Sequence, residues 1–440
     1  MREINFDGLV GPTHNYAGLS RGNLASSEHS GRPANPRAAA LQGLAKMELL
    51  HRMGVGQAVL PPQPRPDVRA LRALGLRGTD DAVLRAAARD DGHLLRLCSS
   101  ASSMWTANAA TVAPSADTVD GRMHLAVANL SAMFHRSLEA ATTHRVFSAI
   151  FSDPRWFEVH APLPSGSAFS DEGAANHLRL KTTAGTTHVF AWGRSGFEPE
   201  GRPARFPRRQ TREASAAVAR LLCLRDGLAM PWEQDPAGID LGAFHTDVLA
   251  TGNESFLMLH EHAFSHHRDL VAELRRRLGD ELSLAVAHES ELPVRDAVSA
   301  YPFNSQIVTL PDGTMRVIAP TESRDSDTAR RFLERVVAGD NPVRGVEWVD
   351  VNASMENGGG PACLRLRIPL EPTEIAALAA RVLVDDVLLA ELRSFVERHY
   401  RDRLVRDDLA DPALLVEVRT ALDELSRILS LGSVFDFQRP

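Results

Sequence analysis

Only three cysteines, Cys98, Cys223 and Cys363, occur in 440 residues, and no two stand in a CxxC spacing. An odd, scattered set argues against a disulfide framework and against a cysteine-built zinc site. Long apolar runs are lacking too: no stretch approaches the ~18 residues of a membrane span, so no membrane partner is expected. Met1 to Asp7 mixes charges of both signs without an apolar core, and a secretory signal is not expected there. Basic residues are outnumbered, 49 Lys and Arg against 56 Asp and Glu, for a formal charge of −7 without a basic stripe. Nucleic acid is therefore not an expected partner. No GxxxxGK[ST] or GxGxxG opens a helix and no GxSxG elbow is present, which removes support for nucleotide binding and for serine hydrolysis. Gly/Ser linkers, low-complexity tracts and visible internal repeats are also missing. What remains is one domain over residues 1–440, expected in the cytoplasm.

What the sequence does contain is an alternation of helical and strand patterns. Helical spacing is expected over residues 36–53, 138–151, 214–224, 270–278 and 330–337, with Thr79 capping another helix that runs to residue 88. Strands are expected over 123–130, 157–163, 188–192, 282–287, 346–351 and 363–368. Two hairpins are predicted: 248–250 with 256–260 about Gly252-Asn253, and 307–310 with 315–319 about Pro311-Asp312-Gly313. Residues 374–431 read as almost wholly helical, broken near Asp385-Asp386 and Ala410-Asp411-Pro412. Hairpins interleaved with single helices fit an α/β or α+β fold better than a strict βαβ series.

Several segments stand apart from ordinary core and surface. Asn357-Gly358-Gly359-Gly360-Pro361-Ala362-Cys363 sets a thiol after three glycines and a proline, at the start of the alternating Leu364-Arg365-Leu366-Arg367. It reads either as a packed thiol behind a tight turn or as a nucleophile at a strand's mouth. Asp171-Glu172-Gly173-Ala174-Ala175-Asn176-His177 offers two acids beside small residues, suited to a helix N-terminus or to a bound cation. In Gly242-Ala243-Phe244-His245-Thr246-Asp247, a strand would turn His245 and Asp247 to one side, as acid/base chemistry or an exposed edge. Polar clusters at 15–23, 105–108, 134–137 and 208–212 supply Asn and Arg side chains of the kind that capture carboxylates. His260-Glu261-His262 with His266-His267 lacks HExxH spacing, so a catalytic metal is not expected.

Taken together these strings resemble the N-succinylarginine dihydrolases. Carrying the resemblance are Asn5 to Gly11, Asn108 to Thr111 with Ala113 to Asp117, Phe134 to Ala140, Asp171 to His177, Arg209 to Glu213, Asn357 to Arg367 and Leu431 to Phe435. Spread from residue 5 to 435 in one order, they cover essentially the whole chain. The resemblance implies a pseudo-five-fold α/β propeller, the pentein fold, built of hairpin-plus-helix modules with a helical C-terminal segment. It implies Cys363 as nucleophile, His245 as catalytic histidine and Glu172 as catalytic acid. It maps substrate binding onto Ala17, Gly18, Leu19, Ser20, Arg21, Gly22, Asn23, Leu24, Ala25 and Ser26, and onto Asn108, His135, Arg136, Arg209, Asp247 and Asn357. A homodimer without cofactor, acting on N-succinylarginine, is the corresponding expectation.

Guanidinium chemistry accounts for these residue types. The group is delocalised and keeps its proton, with a pKa above about 12. A thiolate supplies a better nucleophile than water, and the bound cation favours its formation. Carboxylates hold the forked N–H groups, while a histidine protonates departing ammonia and activates water. Two rounds would yield succinylornithine, carbon dioxide and two ammonia. A single-step deiminase or amidinotransferase, using the same residue types, is the nearest alternative. A binding protein without turnover and a metal hydrolase at the 260–267 histidines are more distant ones.

Overall fold

The computed structural model describes residues 1–198 and 204–439. Among these residues lie fifteen strands, and the first eight are β1 (Arg2–Gly8), β2 (Gly56–Leu60), β3 (Ala110–Ala113), β4 (Met123–Val127), β5 (Phe157–His160), β6 (His177–Lys181), β7 (Thr186–Trp192) and β8 (Ala229–Glu233). The others are β9 (Ala250–Asn253), β10 (Phe256–His260), β11 (Ser283–Ala287), β12 (Gln306–Thr309), β13 (Met315–Pro320), β14 (Val343–Val349) and β15 (Arg365–Leu370). They form five three-stranded sheets: β3-β4-β5, β6-β7-β8, β9-β10-β11, β12-β13-β14 and β15-β1-β2.

One plan repeats in all five. Two strands pair antiparallel, the chain crosses through a helix, and a third strand joins parallel to the middle one. A parallel partner requires such a crossover, because a tight turn can only reverse the chain. The crossover helices are Pro36–Arg52, Ala140–Ile150, Arg212–Leu221, His267–Leu278 and Asp327–Ala338. In the fifth unit β15 pairs with β1, from Arg2 opposite Leu370 to Asp7 opposite Arg365. The first and last strands thus close the ring, giving the pseudo-five-fold propeller.

Middle strands carry the core. Every residue of β4 and β10 is buried, as is every residue of the lateral strand β2, so these strands read as apolar runs rather than as alternations. Helix ends follow local chemistry: Asn35 accepts from the Ala38 N–H ahead of Pro36, and Thr79 from the Ala82 N–H of helix Asp80–Asp90.

Several expectations shift by a few residues. The β9–β10 hairpin turns at Glu254-Ser255, where Glu254 has φ +44°, and Gly252 and Asn253 are paired strand residues. The strand expected over 123–130 ends at Val127. Residues 374–431 are helical only over Pro372–Ala376, Asp386–His399 and Pro412–Ile428, apart from a short 3₁₀ turn at Arg406–Ala410. Between these helices the chain bridges back to the body, Leu383 to Ala58 and Leu404 to Ala34, and backbone committed to those bridges cannot continue a helix.

Candidate active site

In each unit the chain makes a tight turn just before its first strand, and the five turns meet. They are Thr106–Asn108 before β3, Gly173–Asn176 before β6, Thr246–Val248 before β9, residues 302–304 before β12 and residues 361–364 before β15. Each is tied to the next. Asn108 Nδ2 donates to Glu172 O at 2.8 Å, and the Thr246 N–H donates to Asn176 Oδ1 at 2.8 Å. Asn304 Nδ2 donates to Asp247 O at 3.1 Å, and the Gly360 N–H donates to Asn304 Oδ1 at 2.9 Å. The Ala107 N–H donates to Cys363 O at 3.1 Å, which closes the ring of hydrogen bonds. Buried backbone groups need such partners, and here the partners set the positions of the reactive side chains.

Cys363 lies two residues ahead of β15 rather than in it, and it is buried. Its thiol donates to Asp247 Oδ2 at 3.2 Å and accepts from Asn304 Nδ2 at 3.2 Å. Burial, then the Asp247 carboxylate, pushes the thiol well up, so it rests protonated. The preceding glycines clear space for neighbouring protein groups. A Cβ on Gly358 would lie 1.9 Å from Asn23 Oδ1, one on Gly359 2.1 Å from Trp105 Nε1, and one on Gly360 2.8 Å from Asn304 Oδ1. Gly358 also has φ +88°, a backbone region open chiefly to glycine.

His245 and Asp247 are not on a strand. His245 is extended and leads into the 3₁₀ turn that holds Asp247, yet both are buried at the ring. His245 Nε2 meets Glu172 Oε2 at 2.6 Å, and Arg136 Nη1 pairs with the same oxygen. An ionised carboxylate can only accept, so Nε2 carries the proton and Nδ1 keeps its lone pair. Burial would raise the Glu172 carboxyl, but Arg136 and His245 hold it well below the usual range. Burial lowers His245 to about 4 against the pull of Glu172, which leaves the imidazole neutral with a free lone pair on Nδ1. Burial raises Asp247 to about 6, against the hydrogen bonds of Cys363 and Asn304 and the weaker pull of Arg365 and Arg136.

Several buried polar atoms of these side chains are left available to a ligand. Among the described residues, Glu172 Oε1, Asp247 Oδ1, His245 Nδ1, Arg136 Nη2 and Arg209 Nε are buried without a hydrogen-bond partner. Two are carboxylate oxygens suited to N–H donors and two are guanidinium N–H groups suited to carboxylates.

The remaining expected residues divide. Arg209 is buried, lies over the Phe244 ring at 4.5 Å and donates from Nη2 to Arg21 O at 3.1 Å. Asn23 caps the helix Leu24–Glu28 through the Ser26 N–H and donates to Asn357 O at 2.9 Å. Asn357 Nδ2 donates to Asn15 O, and His135 is buried beside Arg136. Ser20, Gly22 and Ser26 are buried, Ala17, Gly18, Leu19, Leu24 and Ala25 are half-buried, and the Arg21 side chain is exposed. The 17–26 segment therefore meets the site through Asn23 and the Arg21 carbonyl. The histidines of 260–267 do not converge on one point: His260 Nε2 bonds Leu292 O at 2.8 Å and His262 Nδ1 bonds Asp235 at 2.8 Å. Asp120, His124 and Cys223 do have ligand atoms within 4.8 Å of one another, but Arg122 already pairs with Asp120.

Sequence reasoning missed Asn304 and Tyr301 and left Gln210 and Asn176 without roles. Gln210 accepts from the Glu172 N–H at 2.7 Å and donates to Asp171 at 3.0 Å, and Tyr301 donates to Gly358 O at 3.2 Å. Asn304, Ser305 and Gln306 are each fully buried, so a polar triplet directly ahead of an apolar strand was the available signal.

Known proteins match the chain over nearly its whole length. The sequence model described as succinylarginine dihydrolase matches residues 1–438. N-succinylarginine dihydrolase of Myxococcus xanthus is 61% identical over 440 residues, covering 100% of both chains. That of Aeromonas hydrophila is 52% identical, with 99% of each chain covered. In fold, the chain is similar to ArgZ, a cyanobacterial arginine dihydrolase, in its apo structure: TM-score 0.51 and 15% identity, over 84% of this chain and 42% of that one. Unliganded AgrE gives TM-score 0.51 and 17% identity, over 84% and 40%.

Proposed function

The chain belongs to the succinylarginine dihydrolase family, and from that premise we propose that it hydrolyses N2-succinyl-L-arginine with two waters to N2-succinyl-L-ornithine, two ammonia and carbon dioxide. The observation that carries the reading is the unpartnered acceptor Asp247 Oδ1, on the carboxylate that holds the Cys363 thiol, with Glu172 Oε1 a second unpartnered acceptor of the ring. A guanidinium supplies a planar fork of donors and the cation that Asp247 lacks.

Binding of that cation offsets the cost of a Cys363 thiolate, and sulfur attacks the guanidine carbon. His245 takes up a proton and delivers it to the departing nitrogen, and ammonia leaves a thiouronium on sulfur. His245 then removes a proton from water, which adds to that carbon. The thiolate leaves, and a ureido group remains. A second attack on the ureido carbon expels the second ammonia and forms a thiocarbamate. Water releases a carbamate from it, and the carbamate loses carbon dioxide. Glu172 keeps the imidazole oriented and stabilises it while protonated. Arg209 and Arg136 Nη2 are suited to the substrate's carboxylates, and a free arginine, lacking the succinyl group, leaves one of them unpaired.

The whole of residues 1–440 serves as one catalytic domain in this reading, since the turns come from residues 106 to 364 and the first and last strands close the ring. A cytoplasmic homodimer accompanies it, which light scattering tests. The deciding experiment counts ammonia per N-succinylarginine consumed. Two, with succinylornithine formed, is expected; one, with a ureido product, would convert the reading to deimination.

A further inference from the structure

We propose that Asn304 is a catalytic residue of the thiol site: its side-chain amide donates the hydrogen bond that stabilises the Cys363 thiolate and splints Cys363 to Asp247. The proposal rests on the reading of Cys363 as nucleophile.

Position is the first argument. In four of the units the turn before the first strand presents a polar side chain two or three residues ahead of it: Asn108 before β3, Asp247 before β9, Asn304 before β12 and Cys363 before β15. The unit starting at β6 places Asn176 immediately ahead of its strand. Asn304 occupies the place in its own unit that Cys363 and Asp247 occupy in theirs, and it is fully buried between those two. Asn108 and Asn176 tie neighbouring turns together, but their hydrogen bonds go to Glu172 O and to Thr246. Asn304 reaches the reacting atom.

Hydrogen-bond accounting is the second argument. The Gly360 and Cys363 N–H groups point at Asn304 Oδ1, at 2.9 and 3.2 Å. A backbone N–H can only donate, so these two contacts fix which end of the amide is oxygen. The other end is therefore Nδ2, and its two protons face Asp247 O at 3.1 Å and Cys363 Sγ at 3.2 Å. All four hydrogen-bonding positions of the amide are filled. A donor aimed at sulfur gains little from a neutral thiol and much more from a thiolate, because hydrogen bonds to a charged partner are the stronger ones. Asp247 acts the other way, since it accepts the S–H proton at rest and would repel a thiolate. Burial and Asp247 push the thiol up, and the Asn304 contact is the side-chain influence pulling it down. Asn304 and the incoming guanidinium thus favour ionisation from two sides of the sulfur.

Substitution tests the Nδ2 donor, which serves both contacts. Asn304→Asp keeps the size and the oxygen that receives the two N–H groups while replacing the donor at sulfur with an acceptor. Asn304→Ala removes the donor, and Asn304→Ser restores one in a smaller side chain. The measurement is the pH dependence of Cys363 alkylation by iodoacetamide in the full-length enzyme without substrate, followed by mass spectrometry of the peptide bearing Cys363. The midpoint is expected to rise by about one to two pH units in Asn304→Asp and Asn304→Ala, the tenfold to hundredfold loss expected for one hydrogen bond to a charged group. Asn304→Ser should recover part of that rise, and kcat for ammonia release should fall with KM nearly constant. Asn176→Ala serves as the control, since it breaks another link of the ring without touching sulfur and should leave the midpoint in place. A midpoint unchanged across whichever Asn304 variants fold, or one that moves equally in Asn176→Ala, overturns the proposal. Wild-type protein that releases no ammonia from N-succinylarginine would instead break the functional reading, so the two failures are told apart.

Discussion

Two buried carboxylates on different arcs of the ring, Glu172 and Asp247, are treated in opposite ways. On one arc Glu172 lies between Arg136 and His245 and is held ionised. On the other, Asp247 lies between Cys363 and Asn304 with no ion pair among the described residues, and burial raises it to about 6. A buried charge without a counter-charge is costly, and a protein that keeps one uncompensated leaves room for a ligand to compensate it. The contrast supports the placement proposed above, with the guanidinium against Asp247 and its carbon toward Cys363. The Glu172 arc, its charge balanced through Oε2, holds His245 and keeps Oε1 unpartnered.

The sharpest way to break this comparison is to remove the sulfur. Cys363→Ala should lower ammonia release from N-succinylarginine by about 10⁴-fold or more, because water must then attack a resonance-stabilised cation directly. Asp247 keeps its pocket in that variant, so calorimetric titration should still detect substrate binding. Loss of binding along with turnover would mean that the thiol, and not the carboxylate, holds the guanidinium.

Next in size is the balanced arc. Arg136→Met leaves Glu172 buried against a neutral imidazole, and removing one partner of a buried pair costs about 3–5 kcal/mol. Chemical denaturation should show that loss, and kcat should fall as His245 loses its orientation. Glu172→Gln in the same background removes the orphaned charge and should recover much of the stability without recovering activity. If Arg136→Met is as stable as wild type, the pair does not sustain the ionisation assigned to it.

How these groups were visible from sequence differs between the arcs. Cys363, Glu172 and His245 sit in strings unusual enough to compare with a known family, and composition around them was informative. The ring itself was not legible. Asn304 donates to Asp247 57 residues away and accepts from Gly360 56 residues on, and no local pattern encodes either contact. The five-fold repeat stayed hidden for a related reason. It constrains only burial along short strands and one polar turn per unit, which Asn, Asp and Cys satisfy without resembling each other. Turn geometry misled twice. Gly252-Asn253 looked like a hairpin turn, but the ladder runs through both residues and the chain turns at Glu254-Ser255. His245 and Asp247 looked like strand neighbours, but a 3₁₀ turn brings them to the ring instead.

The smallest expected effect is the one that tests the unbalanced arc most directly. Asp247 must be ionised to receive a guanidinium, and its carboxyl is raised to about 6 in the free protein. As pH falls through 6 it takes up a proton, so kcat/KM, which reports free-enzyme ionisations, should decline about tenfold per unit on the acid side. Glu172 remains ionised across that range and contributes no limb there. His245, lowered to about 4, would add its own limb only at more acid pH. Asp247→Asn should raise KM by about 10- to 100-fold, the loss of a charge-assisted hydrogen bond, and should flatten the limb near pH 6. A limb that survives Asp247→Asn would assign that ionisation to another group and leave the guanidinium's partner to be sought on the Glu172 side.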